Sequence, residues 1–535
     1  MTRRLFVVFM LYTLTAGYSL AAELYVDQSA AGGGDGSQAS PFQTINEVKS
    51  VLRTGDTVWI LDGVYNETVD FWRVSAGTDG RTFIRAAPGH TPIIDGGGGS
   101  GFVFQAGETH RMTFQGLTVR NSQGSAFHFY HADEGEVIEC KSENTGNGVA
   151  FYFSSQGYVS GSDLYGGVSG KESDGTVIKE CRIHHSQGEG ITLHADSKNL
   201  QYLNNVVYDN HSVNIYIDSA SNVVVDGNLV FMTEDPPEEL AGIQLADESY
   251  NNVTSPVMNN ITITNNILVN NYYGIVFWRG HFPGESGMKN VLIANNTVVN
   301  NKRLGIVWDE GPHDAVIQNN IFAAESGDLL MVAKSTEGVS LDHNLWYLPG
   351  ASEPINWGGG QTFDHTGWVA ASGQGDGDVL TDPAFEGPGD LNAASYKLTE
   401  GSPAIDMGVV IDGLDIDFER ALRPVGSGYD LGAYEYGAPP NPDGGLPSIP
   451  DAGADADSDS DGDTDSDVDT DGDADSDMDG DTDSDMDGDT DSDLDDNVDA
   501  GQESNAGSDE SCGCSTPGRG RILSNLEVFL LAIQI

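Results

Sequence analysis

Between Cys140 and Asn344 apolar and polar positions recur in one order. An alternating β-branched run is followed by a small or amide residue, a second short apolar run, a turn, and a third run that usually opens on glycine. The small or amide residue stands at Cys140, Ser162, Cys181, Asn205, Asn228, Asn266, Asn296, Asn320 and Asn344, at gaps of 22, 19, 24, 23, 38, 30, 24 and 24 residues. Alternation within each run predicts strands with one face buried. A repeat of about 23 residues predicts an all-β parallel solenoid in which each repeat is one coil stacked on the last. In one coil Asn290–Asn296 is a strand and turn, Thr297–Val299 a second strand, Asn300–Arg303 a turn and Gly305–Trp308 a third strand. Stacked Asn side chains at such a turn can hydrogen-bond between coils, which accounts for the ladder without any chemistry.

The third strands align on Gly124, Gly148, Gly167, Gly190, Asn214, Gly242, Gly274 and Gly305. Their second and fourth positions, such as Ile191/Leu193 and Ile275/Phe277, are expected inside. The fifth is expected to face out and reads His128, Tyr152, Lys171, His194, Asp218, Ala246, Trp278, Asp309. The third, also outward, reads Ala126, Ala150, Ser169, Thr192, Tyr216, Gln244, Val276, Val307. At about 4.8 Å between coils, Tyr152, Lys171, His194 and Asp218 should lie within roughly 15 Å. Long turns at 233–241, 248–258 and 280–288 flank these strands and would wall a groove.

Ahead of the repeats, Leu24-Tyr25-Val26 and Thr57–Leu61 read as strands and Thr44–Leu52 as a helix. This region would cap the first coil. Tyr25-Val26-Asp27, Ser40–Ile45, Gly55–Val58 and Gly63-Val64-Tyr65 resemble secreted right-handed parallel β-helix proteins, a family that includes polysaccharide lyases. The resemblance covers about residues 24–350 and implies the right-handed form of the solenoid with an N-terminal helix cap. Further on, Asp382–Phe385, Gly401–Asp406 and Asp430–Glu435 resemble the choice-of-anchor-type module that follows a β-helix in some surface proteins. That implies a structural C-terminal cap. The expected boundaries are 1–22 signal peptide, 23–110 cap and first coils, 111–350 β-helix repeats, 351–437 C-terminal module, 438–510 linker and acidic spacer, and 511–535 sorting-type tail.

Composition adds the ends. Arg3 and Arg4, then Leu5–Leu11, then small residues to Ala22, form a secretory signal. The formal charge is -59, from 83 acidic and 24 basic residues. Asp occupies every odd position from Asp455 to Asp495, and no Lys or Arg lies between Arg423 and Arg519. Such a run repels itself and predicts a disordered acidic tail. The overall charge excludes nucleic acid as a partner. The last segment, Ser511-Cys512-Gly513-Cys514 with Arg519, Arg521 and Val528–Ile533, resembles the Cys-Gly-Cys sorting tails of myxobacterial surface proteins. It implies secretion and attachment at the outer envelope. Cys140 and Cys181 sit two coils apart, too far to bond, and are expected as buried thiols.

The outward columns carry the candidate chemistry. Eliminating across the glycosidic bond of a uronate requires neutralising the carboxylate, removing the adjacent proton and protonating the leaving oxygen. Lys171 is the candidate base, with His194 as acid/base or positioning group and Tyr152 or Tyr216 as the acid. In β-helix lyases the base is commonly a Lys or Arg on this kind of strand, which the placement of Lys171 resembles. A protonated His194 or a bound calcium would help by lowering the lysine pKa. Asp196, Asp218 and Asp247 are candidate Ca2+ ligands, and His128, Tyr216, Gln244, Trp278 and Arg279 candidate substrate contacts. The ordinary alternatives are a solvated Lys171 paired with Glu172, and a plain surface His194. His with Tyr would also serve a uronate C5-epimerase, while a glycoside hydrolase finds no paired-acid motif beyond Asp196 with Asp218. The expected function is an exported monomer acting on an acidic polysaccharide as a lyase. The second reading is a non-catalytic β-helix that binds glycans or serves in adhesion.

Overall fold

The computed structural model describes residues 21–441, apart from 75–79, 237–239, 251, 256, 279–287, 309–313, 327–329, 335–337 and 440. All of these belong to one compact unit, 1–447; a second, 448–535, lies outside the described residues. The expected signal peptide up to residue 20, the Asp-rich stretch and the Cys-Gly-Cys segment therefore lie outside them too, as do Arg279 and Asp309. Among the described residues no helix is long and apolar enough to cross a membrane.

The chain winds as a right-handed parallel β-helix. Its first sheet has 13 strands in unbroken chain order, from Glu23–Val26 to Val339–Asp342, every neighbouring pair parallel. Most coils then add a three-residue strand and a third strand before returning, as Lys198–Leu203, Val206–Tyr208 and Ile215–Asp218 illustrate, while in Thr118–Tyr130 and Lys141–Tyr152 the two run on as one. Parallel strands joined by such short connections close only into coils, so the apolar face of each strand points into one shared interior. Phe104, Phe114, Phe127, Phe129 and Phe151 fill its first part and Ile, Leu and Val side chains the rest.

The corner after the first sheet explains the repeated amide. The residue before each ladder position is left-handed: Asn204 at φ 53°, Asn265 at 53°, Asn295 at 55° and Asn319 at 59°. Asn tolerates that region better than most side chains, so one Asn makes the bend. The next points inward, and its carbonyl accepts from the backbone N–H one coil earlier: Asn205 to Asn228 (2.9 Å), Asn228 to Asn266 (2.9 Å), Asn266 to Asn296 (2.9 Å), Asn296 to Asn320 (2.9 Å) and Asn320 to Asn344 (3.0 Å). Cys140 and Cys181 occupy the same column as buried free thiols, with burial pushing each up to about 12.

Both ends are covered. Helix α1, Ile45–Val48, is shorter than the expected 44–52 and is held by a capping box between Thr44 and Glu47, with Ile45 and Val48 buried. At the other end Asp378 terminates the Asn ladder by accepting from Asn344 N (2.7 Å) and from Trp346 Nε1 (2.7 Å). Helix α2, His365–Ser372, sets the fully buried Trp368 against Trp346 and Trp357. Only the first part of 351–437 closes the end. The remainder runs back along the flank, where Ile416, Asp430 and Val409 carbonyls accept from Asn265, Asn295 and Asn319.

Candidate functional site

The third-strand face is where chemistry gathers. Its even positions are inside as expected: Ile191, Leu193, Ile215, Ile243, Leu245 and Ile275 are fully buried. Tyr152 pairs in register with Lys171, and Lys171 with His194, so three consecutive coils align these side chains. The Lys171 ammonium lies 5.9 Å from the Tyr152 ring centroid and 5.4 Å from that of Phe153. Among the described residues it pairs with no carboxylate, so the ion pair with Glu172, the ordinary alternative to a catalytic role, does not form.

His194 is half-buried, and burial, then the Lys171 charge, hold its imidazole down to about 4. It is neutral at pH 7 and supplies no cation that could depress Lys171, contrary to the expected assistance. Its ring lies parallel to Tyr250, 5.1 Å between centroids and 2° between planes. The Tyr250 hydroxyl in turn makes a short hydrogen bond with Asp218 Oδ2.

Asp218, Tyr216 and Gln244 are all buried, and Glu248 and Tyr250 of the segment after Ala246 bond to Tyr216 and Asp218. Asp218 is fully buried, and its Oδ1 accepts from Ser219 Oγ (3.0 Å) and Glu248 N (3.0 Å). Burial, reinforced by the nearby Glu248 charge, holds its carboxyl well above the usual range. Tyr216 donates to Glu248 Oε1 (2.8 Å), and burial with the adjacent acids raises its hydroxyl. Glu189 is raised as well, first by burial and then by Glu248. Burial thus favours the protonated forms of Asp218 and Glu189 at this acidic end.

His128 needs a correction. It pairs with Ala150, and Tyr130 stands opposite Tyr152. Gly124 corresponds to the corner glycine Gly146 and not to Gly148, which puts His128 two residues before the Tyr152 position: a side chain at either corner glycine would meet a backbone carbonyl at 2.1 Å. The His128 ring still reaches Tyr152, 5.3 Å between centroids, and burial holds it down to about 4. Trp72 stacks on Tyr130 at 5.8 Å, extending the aromatic surface toward the first coils. Trp278 pairs with Ala246, four strands beyond Lys171, or roughly 19 Å along the axis. Gln244 lies between Tyr216 and Val276.

The three proposed calcium ligands do not form a centre. Asp196 is exposed at a left-handed turn (φ 72°), Asp218 is committed to three donors, and Asp247 Oδ1 accepts from Val257 N (3.2 Å) and Met258 N (2.9 Å). Among the described residues no group of three His, Cys, Asp or Glu is arranged to hold a metal. Sequence reasoning missed Tyr250, Glu248 and Glu189. The first two lie on an irregular segment with no repeat partner; Glu189 directly precedes an aligned strand and carried no signal of its own.

Residues 163–322 match the family described as the right-handed β-helix region. No curated protein matches the sequence. Similar solved structures include the pectate lyase Pel9A, at 12% identity over 78% of this chain and 97% of that one, TM-score 0.45. A rhamnogalacturonan lyase is 14% identical over 71% and 97%, TM-score 0.42. PfbA, a surface adhesin of Streptococcus pneumoniae, is 13% identical over 58% and 86%, TM-score 0.44. Likenesses this low carry nothing about activity; the fold rests on the strand pairings and the matched region.

Proposed function

We propose that this chain is an exported β-helix protein whose third-strand groove takes an acidic polysaccharide and cleaves it by β-elimination. One observation carries the reading: a lysine that pairs with no carboxylate among the described residues stands in register with a neutral histidine on the adjacent coil. An unpaired ammonium between aromatic rings is a receptor for a substrate carboxylate. Lys171 then neutralises the uronate, exchanging its expected role as base for that of counter-charge. His194 is the base. A bound carboxylate offsets the Lys171 charge that holds the imidazole down, so its proton affinity rises when substrate is present. Tyr152, on the other side of Lys171, is within the same run of coils to protonate the leaving oxygen. No step is routed through calcium.

The test is release of unsaturated uronate ends, followed by absorbance near ~235 nm, from pectate, alginate and glycosaminoglycans. Appearance on one of them supports the reading, and silence on all of them overturns it.

A second reading has its own support. The aromatic surface from Trp72 through Tyr130, His128 and Tyr152 would hold a sugar chain without any reaction. Polymer retention without product would favour this glycan-binding or adhesive role. In either case the acidic spacer and Cys-Gly-Cys tail would serve to hold the coils off the outer envelope.

A further inference from the structure

We infer that the first coils carry a second glycan site, separate from the groove, which takes a neutral pyranose chain on Trp59 and Tyr25. The two residues pair in register on adjacent strands, Glu23–Val26 and Thr57–Ile60. Their neighbours Val26, Val58 and Ile60 are fully buried, so alternation turns both rings outward. They line a cavity of about 380 Å³, whose walls include Pro41, Pro88 and Leu61. That lies within the roughly 300–1,000 Å³ of ordinary small-ligand sites.

The walls are pinned before any ligand arrives. Tyr25 N donates to Gly36 O (2.8 Å) and Phe42 N to Tyr25 O (2.9 Å), fixing the segment that carries Pro41. His90 is tied to Asp62 (2.9 Å) and its N–H to Ala87 O (2.9 Å), fixing the other wall. From the next strand the Arg85 guanidinium sits 4.9 Å from the Trp59 ring and holds the indole plane.

The polar groups choose the ligand. The indole Nε1 of Trp59 is buried and has no hydrogen-bond partner among the described residues. A hydroxyl or ring oxygen supplies an acceptor, whereas an ammonium supplies none. Glu23, Asp27 and Gln38 also line the cavity and accept from sugar hydroxyls. The two carboxylates repel uronates, so this site selects against the ligand class suited to Lys171. Flat, equatorially linked pyranose chains present the C–H faces that suit paired aromatic rings.

The experiment is calorimetric titration of the full chain with cellohexaose and xylohexaose, using trigalacturonate as the anionic control. Saturable binding of at least one neutral hexamer is expected, with trigalacturonate failing to compete. Trp59→Ala should weaken it at least tenfold, Trp59→Phe should retain it within about threefold, and Lys171→Ala should leave it unchanged. Should Trp59→Ala fail to fold, Tyr25→Ala gives the same test with a surface ring removed. Binding of neither hexamer, equal affinity in the Trp59 and Tyr25 variants, or loss of binding in Lys171→Ala overturns the proposal. The groove is read separately, by release of unsaturated ends from uronate polymers, so the two sites fail independently.

Discussion

Tyr250 lies flat against His194, with 2° between the rings, while its hydroxyl bonds to the buried carboxyl of Asp218. A residue with no place in the repeat therefore joins the neutral imidazole to the protonated acid one coil away. The segment that carries it is also fastened by Ser219 Oγ to Glu248 O (2.6 Å) and Asn252 Nδ2 to Ala195 O (3.0 Å).

Tyr250→Phe keeps the stack and removes the bond to Asp218. That strands a buried carboxyl, so a loss of about 1–3 kcal/mol is expected. Tyr250→Ala also strips the cover from His194 and should raise its imidazole pKa toward the ordinary value. Denaturant unfolding of both variants and proton NMR titration of the imidazole check this; an unmoved His194 in Tyr250→Ala contradicts it.

The lowered histidines fix the sign of acid sensitivity. His128 and His194 fall to about 4 in the folded state, against about 6.5 in the unfolded chain. The unfolded state therefore binds more protons in that window. Their contribution is fully present above about pH 6.5 and is lost as pH falls through about 4. His194→Gln should flatten part of this loss in melts run across that range.

Asp218 works in the opposite direction. Its folded-state carboxyl is raised, so its contribution is complete at acid pH and declines as pH rises through the folded value. Asp218→Asn keeps an acceptor for Tyr250 and removes the titration. The variant should lose less stability than the parent as pH rises from about 4 to about 8, as read by thermal unfolding.

Removing a ladder amide should weaken the coils locally. Asn296 accepts from Asn266 and donates to Asn320 Oδ1 and to Ile263 O, all buried. Asn296→Ala takes the acceptor from Asn266 N and the side-chain donor from Ile263 O, while the backbone N–H of residue 296 still reaches Asn320 Oδ1, at a cost of about 1–3 kcal/mol for each buried group left unpaired. Amide exchange should quicken first at 266 and 320, the coils on either side.

The fold was legible because a solenoid repeats its constraints. The pairs Asn265-Asn266, Asn295-Asn296 and Asn319-Asn320 each encode a left-handed bend and an inward amide. Lys171, His194 and Tyr152 were legible because register is local between adjacent strands. His128 was misassigned where two glycines of different use looked alike. Tyr250 and Glu248 were invisible because their segment has no copy with which to align. Asp218 was read as a metal ligand because neither its burial beneath that segment nor its three donors can be seen in the repeat.

The central claim is that Lys171 and His194 act together on a uronate polymer. The most direct measurement is the initial rate of unsaturated-end release by wild type, Lys171→Met and His194→Gln, on whichever polymer is cleaved. The account predicts a loss of at least about 100-fold in each variant. Recovery of His194→Gln at high pH is not expected, since glutamine has no proton to lose. A Lys171→Met or His194→Gln variant that retains the wild-type rate would contradict it.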